Sequence, residues 1–237
     1  MQIHSIESLA ALDGEGLRYE LFLRGCPLRC VCCHNPDTWN MNVGKQMSCE
    51  ELLNKILRYI PYFGDDGGVT FSGGEPLLQA DEVAKLGEML KEHNIGYTID
   101  TSGAVPLTES VKQAVKGADM IICDLKYPDS ESMLKYTNGD LKQVIDFLDY
   151  LKEEGKQIWI RTVIIPGIND NFLWLDKYIE TLMPYKSIIK KYELLAFHTM
   201  GFFKYENLGI ENPLKDTKPL ELERLKQLQR YVDEKIG

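Results

Sequence analysis

Four cysteines, Cys26, Cys30, Cys32 and Cys33, fall within one eight-residue stretch, while Cys49 and Cys123 stand alone. The amino terminus, Met1-Gln2-Ile3-His4-Ser5, has neither the basic start nor the apolar core of a signal peptide, which predicts a cytoplasmic protein. In that reducing compartment, clustered thiols suit metal binding better than disulfides. The spacing C-x3-C-x2-C over Cys26, Cys30 and Cys33 puts three thiolates on a short loop. Such a set suits a 4Fe–4S cluster with one iron left open to a small molecule, because a closed zinc site wants four protein ligands. On spacing alone, zinc stays open if His34 or Cys32 supplies a fourth. Cys49, at a helix cap, and Cys123, on a strand, read as buried small hydrophobes.

The elements that would carry this loop alternate. Leu17, Tyr19, Leu21 and Leu23 alternate with Arg18, Glu20, Phe22 and Arg24 in a first strand, and Ser48-x-x-Glu51 is a capping box opening a helix through about Ile60. Five more strands follow, at Gly68–Ser72, Tyr97–Thr101, Asp119–Asp124, Ile158–Ile165 and Ile188–Phe197. Helices follow them from about Asp81, Thr108, Leu141, Asn171 and Leu220. Six βα units predict a parallel sheet with helices outside, too few for a closed eight-unit barrel. No linker-like segment divides the 237 residues, which predicts a single domain over 1–237.

In parallel α/β folds ligands bind where the strands end, because the loops converge there and helix amino termini point at the site. The polar residues obey that rule. The cysteine loop follows the first strand, Ser72-Gly73-Gly74-Glu75 the second, Asp100-Thr101-Ser102-Gly103 the third and Asp124-Leu125-Lys126 the fourth; Arg161 lies in the fifth and His198 ends the sixth.

These residues carry a resemblance. The cysteine loop resembles the signature of the radical S-adenosylmethionine superfamily, and its context is similar to the pyruvate formate-lyase activating enzymes. The likeness extends over Ile3-His4-Ser5, Asp13-Gly14, Gly16-Leu17-Arg18, Cys33-His34-Asn35-Pro36-Asp37-Thr38-Trp39, Gly67-Gly68-Val69-Thr70, Ser72-Gly73-Gly74-Glu75, Asp100-Thr101, Asp124-Leu125-Lys126, Trp159-Ile160-Arg161, Pro166-Gly167 and His198. It implies an α/β fold, a partial (β/α)6 TIM-like barrel. It further implies a cluster on Cys26, Cys30 and Cys33 that binds S-adenosylmethionine and cleaves it reductively to methionine and a 5'-deoxyadenosyl radical. That radical abstracts hydrogen from a backbone glycine of a partner glycyl radical enzyme of the pyruvate formate-lyase type.

The resemblance also implies roles. Gly73, Gly74 and Glu75 bind the cofactor, the two glycines by letting backbone approach it. Asp100 takes its ammonium and Lys126 offsets its carboxylate charge. Asp124 and Leu125 bind the cofactor with Lys126, and Asp124 holds a monovalent cation with Asp100 and Thr101. His198 meets the ribose, Cys32 and His34 lie near the adenine, and Arg161, a charge in an apolar run, binds the cofactor or a structural carboxylate. Two residues depart from the family pattern: Cys32 replaces an aromatic residue, and Glu15 stands where a proline is usual. The space between Cys33 and the first helix is too short for a ferredoxin-like insert, which favours one cluster and the simpler activase.

Composition excludes other classes. Lys and Arg total 27 against 36 Asp and Glu, a formal charge of -9, which lacks the basic excess of a general nucleic-acid binder. No apolar run is long enough to span a membrane. The expected assembly is a monomer that takes electrons from reduced flavodoxin or ferredoxin. Within enzymes the alternatives are an activase for another glycyl radical enzyme or a radical enzyme acting on a small molecule; outside them, an iron–sulfur electron carrier or a zinc module.

Overall fold

The computed structural model describes residues 1–236. They form strands β1 (Gln2–Ala10), β2 (Arg18–Leu23), β3 (Lys45–Gln46), β4 (Gly68–Gly73), β5 (Gly96–Thr101), β6 (Met120–Asp124), β7 (Ile158–Ile164) and β8 (Ile189–Ala196). The helices are α1 (Cys49–Ile56), α2 (Ile60–Phe63), α3 (Ala80–Glu92), α4 (Glu109–Gly117), α5 (Ser130–Thr137), α6 (Leu141–Glu153), α7 (Phe172–Leu182), α8 (Phe202–Leu208) and α9 (Leu222–Ile236). All six expected strands are present, each followed by a helix. The expected capping box is present, with Ser48 and Glu51 reciprocal; at the other helix starts Thr108 accepts from Val111 N and Asn171 from Trp174 N. The sequence reading missed β1, β3, α5 and α8.

The chain forms two compact units, one of Met1–Pro27 with Thr38–Ile122, the other of Leu28–Asp37 with Cys123–Gly237, with the division running through β6 and the cysteine loop.

In the first unit the strand order is β3-β1-β2-β4-β5. Hairpin β1–β2 is antiparallel, and β2, β4 and β5 run parallel with Tyr19, Val69 and Tyr97 in register. Side chains alternate across a strand. One face of β2, β4 and β5 is therefore apolar, with Tyr19, Leu21, Leu23, Val69, Phe71, Tyr97 and Ile99 all buried. The other face carries Arg18, Glu20, Thr70, Ser72 and Thr98, buried and polar. Arg18 holds that face together, donating to Thr70 Oγ1 (3.0 Å), Thr98 Oγ1 (3.1 Å) and the Val69 carbonyl (2.6 Å). Cys49 and Cys123 are buried.

The β2–β4 pairing continues past the strand ends. Gly74 N donates to the Leu23 carbonyl (2.9 Å), Glu75 N to the Gly25 carbonyl (2.7 Å), and Gly25 N to the Thr38 carbonyl (2.8 Å). A Cβ on Gly74 would stand 2.2 Å from the Gly25 oxygen. Gly74→Ala is therefore expected to cost about 1–3 kcal/mol, because backbone rather than a flexible side chain must give way. An unchanged midpoint in urea unfolding would contradict this close approach.

In the second unit β7 and β8 pair in parallel, with Arg161 opposite Glu193. Helix α9 packs on β8, where Gln229 accepts from Leu194 N (2.8 Å) and donates to the Tyr192 carbonyl (2.8 Å), occupying backbone groups of that strand.

Candidate active site

In the first unit, Cys26 follows Gly25, whose φ of +90° suits glycine. The demand for glycine at 73 and 74 comes from the chain itself: a Cβ at Gly73 would stand 2.3 Å from Leu23 N, and one at Gly74 would strike Gly25. Glu75 is engaged within its own loop. Its carboxylate is fully buried and accepts from Leu77 N (3.1 Å), Thr101 Oγ1 (2.6 Å), Ser102 N (2.9 Å) and Ser102 Oγ (2.6 Å). Four donors occupy the acceptor sites of the carboxylate, so Glu75 positions the loop after β5. Burial pushes its pKa above the ordinary carboxylate value, and those four bonds pull against the shift. Thr101 is likewise turned inward, donating to Glu75 and accepting from Gly103 N (3.0 Å). Half-buried Asp100 accepts from Ser72 Oγ at 2.8 Å.

In the second unit, the Cys30–Cys33 segment closes as a turn, with Cys33 N donating to the Cys30 carbonyl (3.1 Å). Arg29 N and Val31 N donate to the carbonyls of Thr137 (2.7 Å) and Tyr136 (2.9 Å), which pins the loop to α5. Cys32 packs with Val31 against buried Ile165, Phe197 and Leu214. Burial pushes its thiol up to about 11 although Lys126 pulls the other way, so Cys32 is a neutral apolar filler.

Helix α8 holds the rest of the loop. Tyr205 donates from its hydroxyl to the Cys33 carbonyl (3.0 Å), and Lys204 to Asn35 Oδ1 (2.7 Å) and Asp37 Oδ1 (3.1 Å). The His34 ring stacks on His198 with centroids 3.8 Å apart and planes 20° apart. His34 Nε2 lies 3.0 Å from the His198 carbonyl and must donate to it. Burial, aided by the charge of His198, pushes the His34 pKa down to about 4, so the ring is neutral. His198 Nδ1 is buried without a hydrogen-bond partner.

Lys126 Nζ meets Asp124 Oδ2 at 2.5 Å. Burial acts to lower the ammonium's pKa, yet Asp124, Cys30 and Cys32 hold it well above its usual value. Leu125 is buried and its carbonyl accepts from Thr162 Oγ1 (3.0 Å). Arg161, 7% exposed, stands 3.5 Å from Glu193 Oε2, a structural carboxylate of the kind expected for it. The sequence reading missed Glu193, Lys204, Tyr205 and Tyr127, whose buried hydroxyl lacks a partner and whose pKa is raised by burial and then by Cys32. Only a polar residue following a strand end could have flagged Tyr127.

Among the described residues, no three His, Cys, Asp or Glu side chains form a ready-made metal site. The donor set still fits an iron–sulfur cluster: Cys26, Cys30 and Cys33 are partly exposed cysteines outside any disulfide, and Cys30 and Cys33 are joined by a tight turn with a lysine ammonium nearby. The orphan His198 Nδ1 fits a ligand hydroxyl.

This fold and site define a class. The chain belongs to the Radical SAM superfamily, whose family model matches residues 21–176, and it belongs there to the family of pyruvate formate-lyase-activating enzymes. The pyruvate formate-lyase-activating enzyme of Clostridium pasteurianum is 39% identical over 234 residues, 98% of this chain and 97% of the relative. Among solved structures, SuiB of Streptococcus suis, crystallised with the precursor peptide SuiA, superposes with a TM-score of 0.68 at 16% identity. That match covers 90% of this chain but only 44% of SuiB, so the chain spans less than half its length. A domain of the pyruvate-formate lyase-activating enzyme of Bacteroides vulgatus superposes at 0.57 with 20% identity, covering 71% of this chain and 94% of the domain. The α/β fold class expected from the sequence, a partial TIM-like barrel, is the one these likenesses support. The family implies a 4Fe–4S cluster and S-adenosylmethionine.

Proposed function

We propose that this chain, as one radical S-adenosylmethionine domain, activates a glycyl radical enzyme of the pyruvate formate-lyase type. The observation that carries this reading is the likeness to an activating enzyme over almost the whole of both chains. Cys26, Cys30 and Cys33 would hold the cluster. When bound, the cluster and S-adenosylmethionine supply one-electron reductive cleavage and a hydrogen-abstracting radical.

The chain's own residues position these groups. Tyr205 and Lys204 fix the backbone after Cys33, which sets the thiols. His198 presents Nδ1 to the ribose, with its ring held by His34. Asp100, steadied by Ser72, takes the ammonium, and the Lys126–Asp124 pair meets the carboxylate, with a monovalent cation beside Asp124. The same reading takes in reduced flavodoxin or ferredoxin as electron donor, a monomeric state and a cytoplasmic location. No helix among the described residues is long and apolar enough to cross a membrane.

The test is anaerobic electron paramagnetic resonance of reconstituted, reduced protein mixed with S-adenosylmethionine and pyruvate formate-lyase, with 5'-deoxyadenosine quantified in parallel. A glycyl radical doublet is expected. Deoxyadenosine without a doublet would move the reading to another glycyl radical enzyme or a small-molecule substrate. Neither product, with the cluster intact and a competent donor present, would overturn it.

A further inference from the structure

Strand β6 ends at Asp124, and Leu125 and Lys126 follow it outside any strand. Their two consecutive carbonyls accept from buried side-chain hydroxyls. Thr162 on β7 donates to the Leu125 carbonyl (3.0 Å), and Tyr178 on α7 donates to the Lys126 carbonyl (2.8 Å). Each hydroxyl is backed by a further polar group. Thr162 has given its only proton to Leu125, so the Tyr192 hydroxyl on β8 must donate to Thr162 Oγ1 across 3.2 Å. Asn169, from the loop between β7 and α7, donates through Nδ2 to the Tyr178 oxygen (3.1 Å) and the Val163 carbonyl (2.9 Å), and its Oδ1 accepts from Ile165 N (2.7 Å).

Thr162, Asn169, Tyr178 and Tyr192 are all buried, and all lie in the second unit with the residues they hold. Val and Phe would fill nearly the volumes of Thr162 and Tyr178, so what the hydroxyls add is direction rather than bulk. They direct the backbone that carries Lys126, whose Nζ meets Asp124 Oδ2 at 2.5 Å. A lysine side chain loses much rotamer freedom when its ammonium is held. Backbone fixed at one end and a carboxylate at the other narrow where that ammonium can stand before a ligand arrives.

We propose that Tyr178, backed by Asn169, and Thr162, backed by Tyr192, are positioning residues that fix the backbone at Lys126 and so aim its ammonium at the carboxylate of S-adenosylmethionine. This inference rests on the cofactor assignment above and gives a task to core hydroxyls which that assignment does not use. Without the Tyr178 hydroxyl the Lys126 carbonyl loses that donor, the segment gains freedom, and part of the binding free energy goes into restoring its geometry.

The experiment is equilibrium binding of S-adenosylmethionine and of decarboxylated S-adenosylmethionine to the cluster-loaded protein and its Tyr178→Phe variant. The two ligands share adenosine, sulfonium and ammonium and differ only in the carboxylate. Loss of one buried hydrogen bond predicts about fivefold weaker binding of S-adenosylmethionine, with the decarboxylated ligand changed less than about twofold. Thr162→Val should shift the same ratio in the same direction by about threefold and serves if Tyr178→Phe does not fold. A Lys126→Met background closes the test with S-adenosylmethionine alone: there Tyr178→Phe should add less than about twofold, and a full second loss would count against the role. Equal weakening of both ligands, as a general loosening of the fold would give, or no change in either, would overturn it. If the unaltered loaded protein binds both ligands equally, Lys126 does not read the carboxylate and this inference falls; if it binds neither, the cofactor assignment falls as well. Selective weakening without activation of a partner would count against the activase reading alone.

Discussion

Replacing Cys33 with Ala is expected to abolish the cluster and all cleavage of S-adenosylmethionine, while replacing Cys32 with Ala leaves both in place. The two thiols are adjacent, and spacing alone does not separate them. Their surroundings do. Cys32 packs against Ile165, Phe197 and Leu214, and burial holds its thiol protonated. A thiolate there would have to leave an apolar contact and lose its proton, whereas Cys33 ends the turn from Cys30 and has its carbonyl fixed by Tyr205. Loss of a direct ligand should exceed the roughly 100-fold that outer partners of a metal ligand carry. For Cys32→Ala only a small, partly buried side chain is trimmed, at a cost of about 1 kcal/mol. Iron and sulfide content of the reconstituted variants, with their visible absorption, decides between them. A cluster kept by Cys33→Ala and lost by Cys32→Ala would reverse the ligand assignment.

The second large effect is expected at Glu75. Glu75→Ala removes the acceptor of four hydrogen bonds at a fully buried position, leaving Thr101, Ser102 and Leu77 with unmet donors. Each such donor costs about 1–3 kcal/mol, and a partly hydrated hole recovers some of it, so the net loss should be about 3–5 kcal/mol. Against the 5–15 kcal/mol typical of a folded domain, roughly a third of the stability would go. Glu75→Gln keeps one acceptor but turns an amide toward donors, and should fall between parent and Ala. Urea unfolding measures all three. If Glu75→Ala stays within about 1 kcal/mol of the parent while cofactor binding collapses, Glu75 is a ligand contact after all.

Much of this was legible in the residues. Alternation of apolar and polar side chains located six strands, because a buried strand must present a different face at every step, and Ser48, Thr108 and Asn171 marked helix starts by their capping chemistry. The elements that escaped were those whose order comes from neighbours. β1 has only Ile3 fully buried and is held as a strand by pairing with β2. Helix α8 has seven residues, too short to stand alone, and is fixed by its ties to Cys33, Asn35 and Asp37.

Residue type and spacing by themselves determined the family, the three candidate thiolates and the strand ends where polar groups gather, because those depend on chemistry and local periodicity. Tertiary structure alone decided what each polar group is paired with. It turned Glu75 and Thr101 toward one another, set Arg161 beside the carboxylate of Glu193, packed Cys32 against Phe197 and left Glu20 with an unmet oxygen. A hydrogen bond forms between groups distant in sequence only when the packed backbone brings them within about 3 Å, and no motif of neighbouring letters encodes that distance.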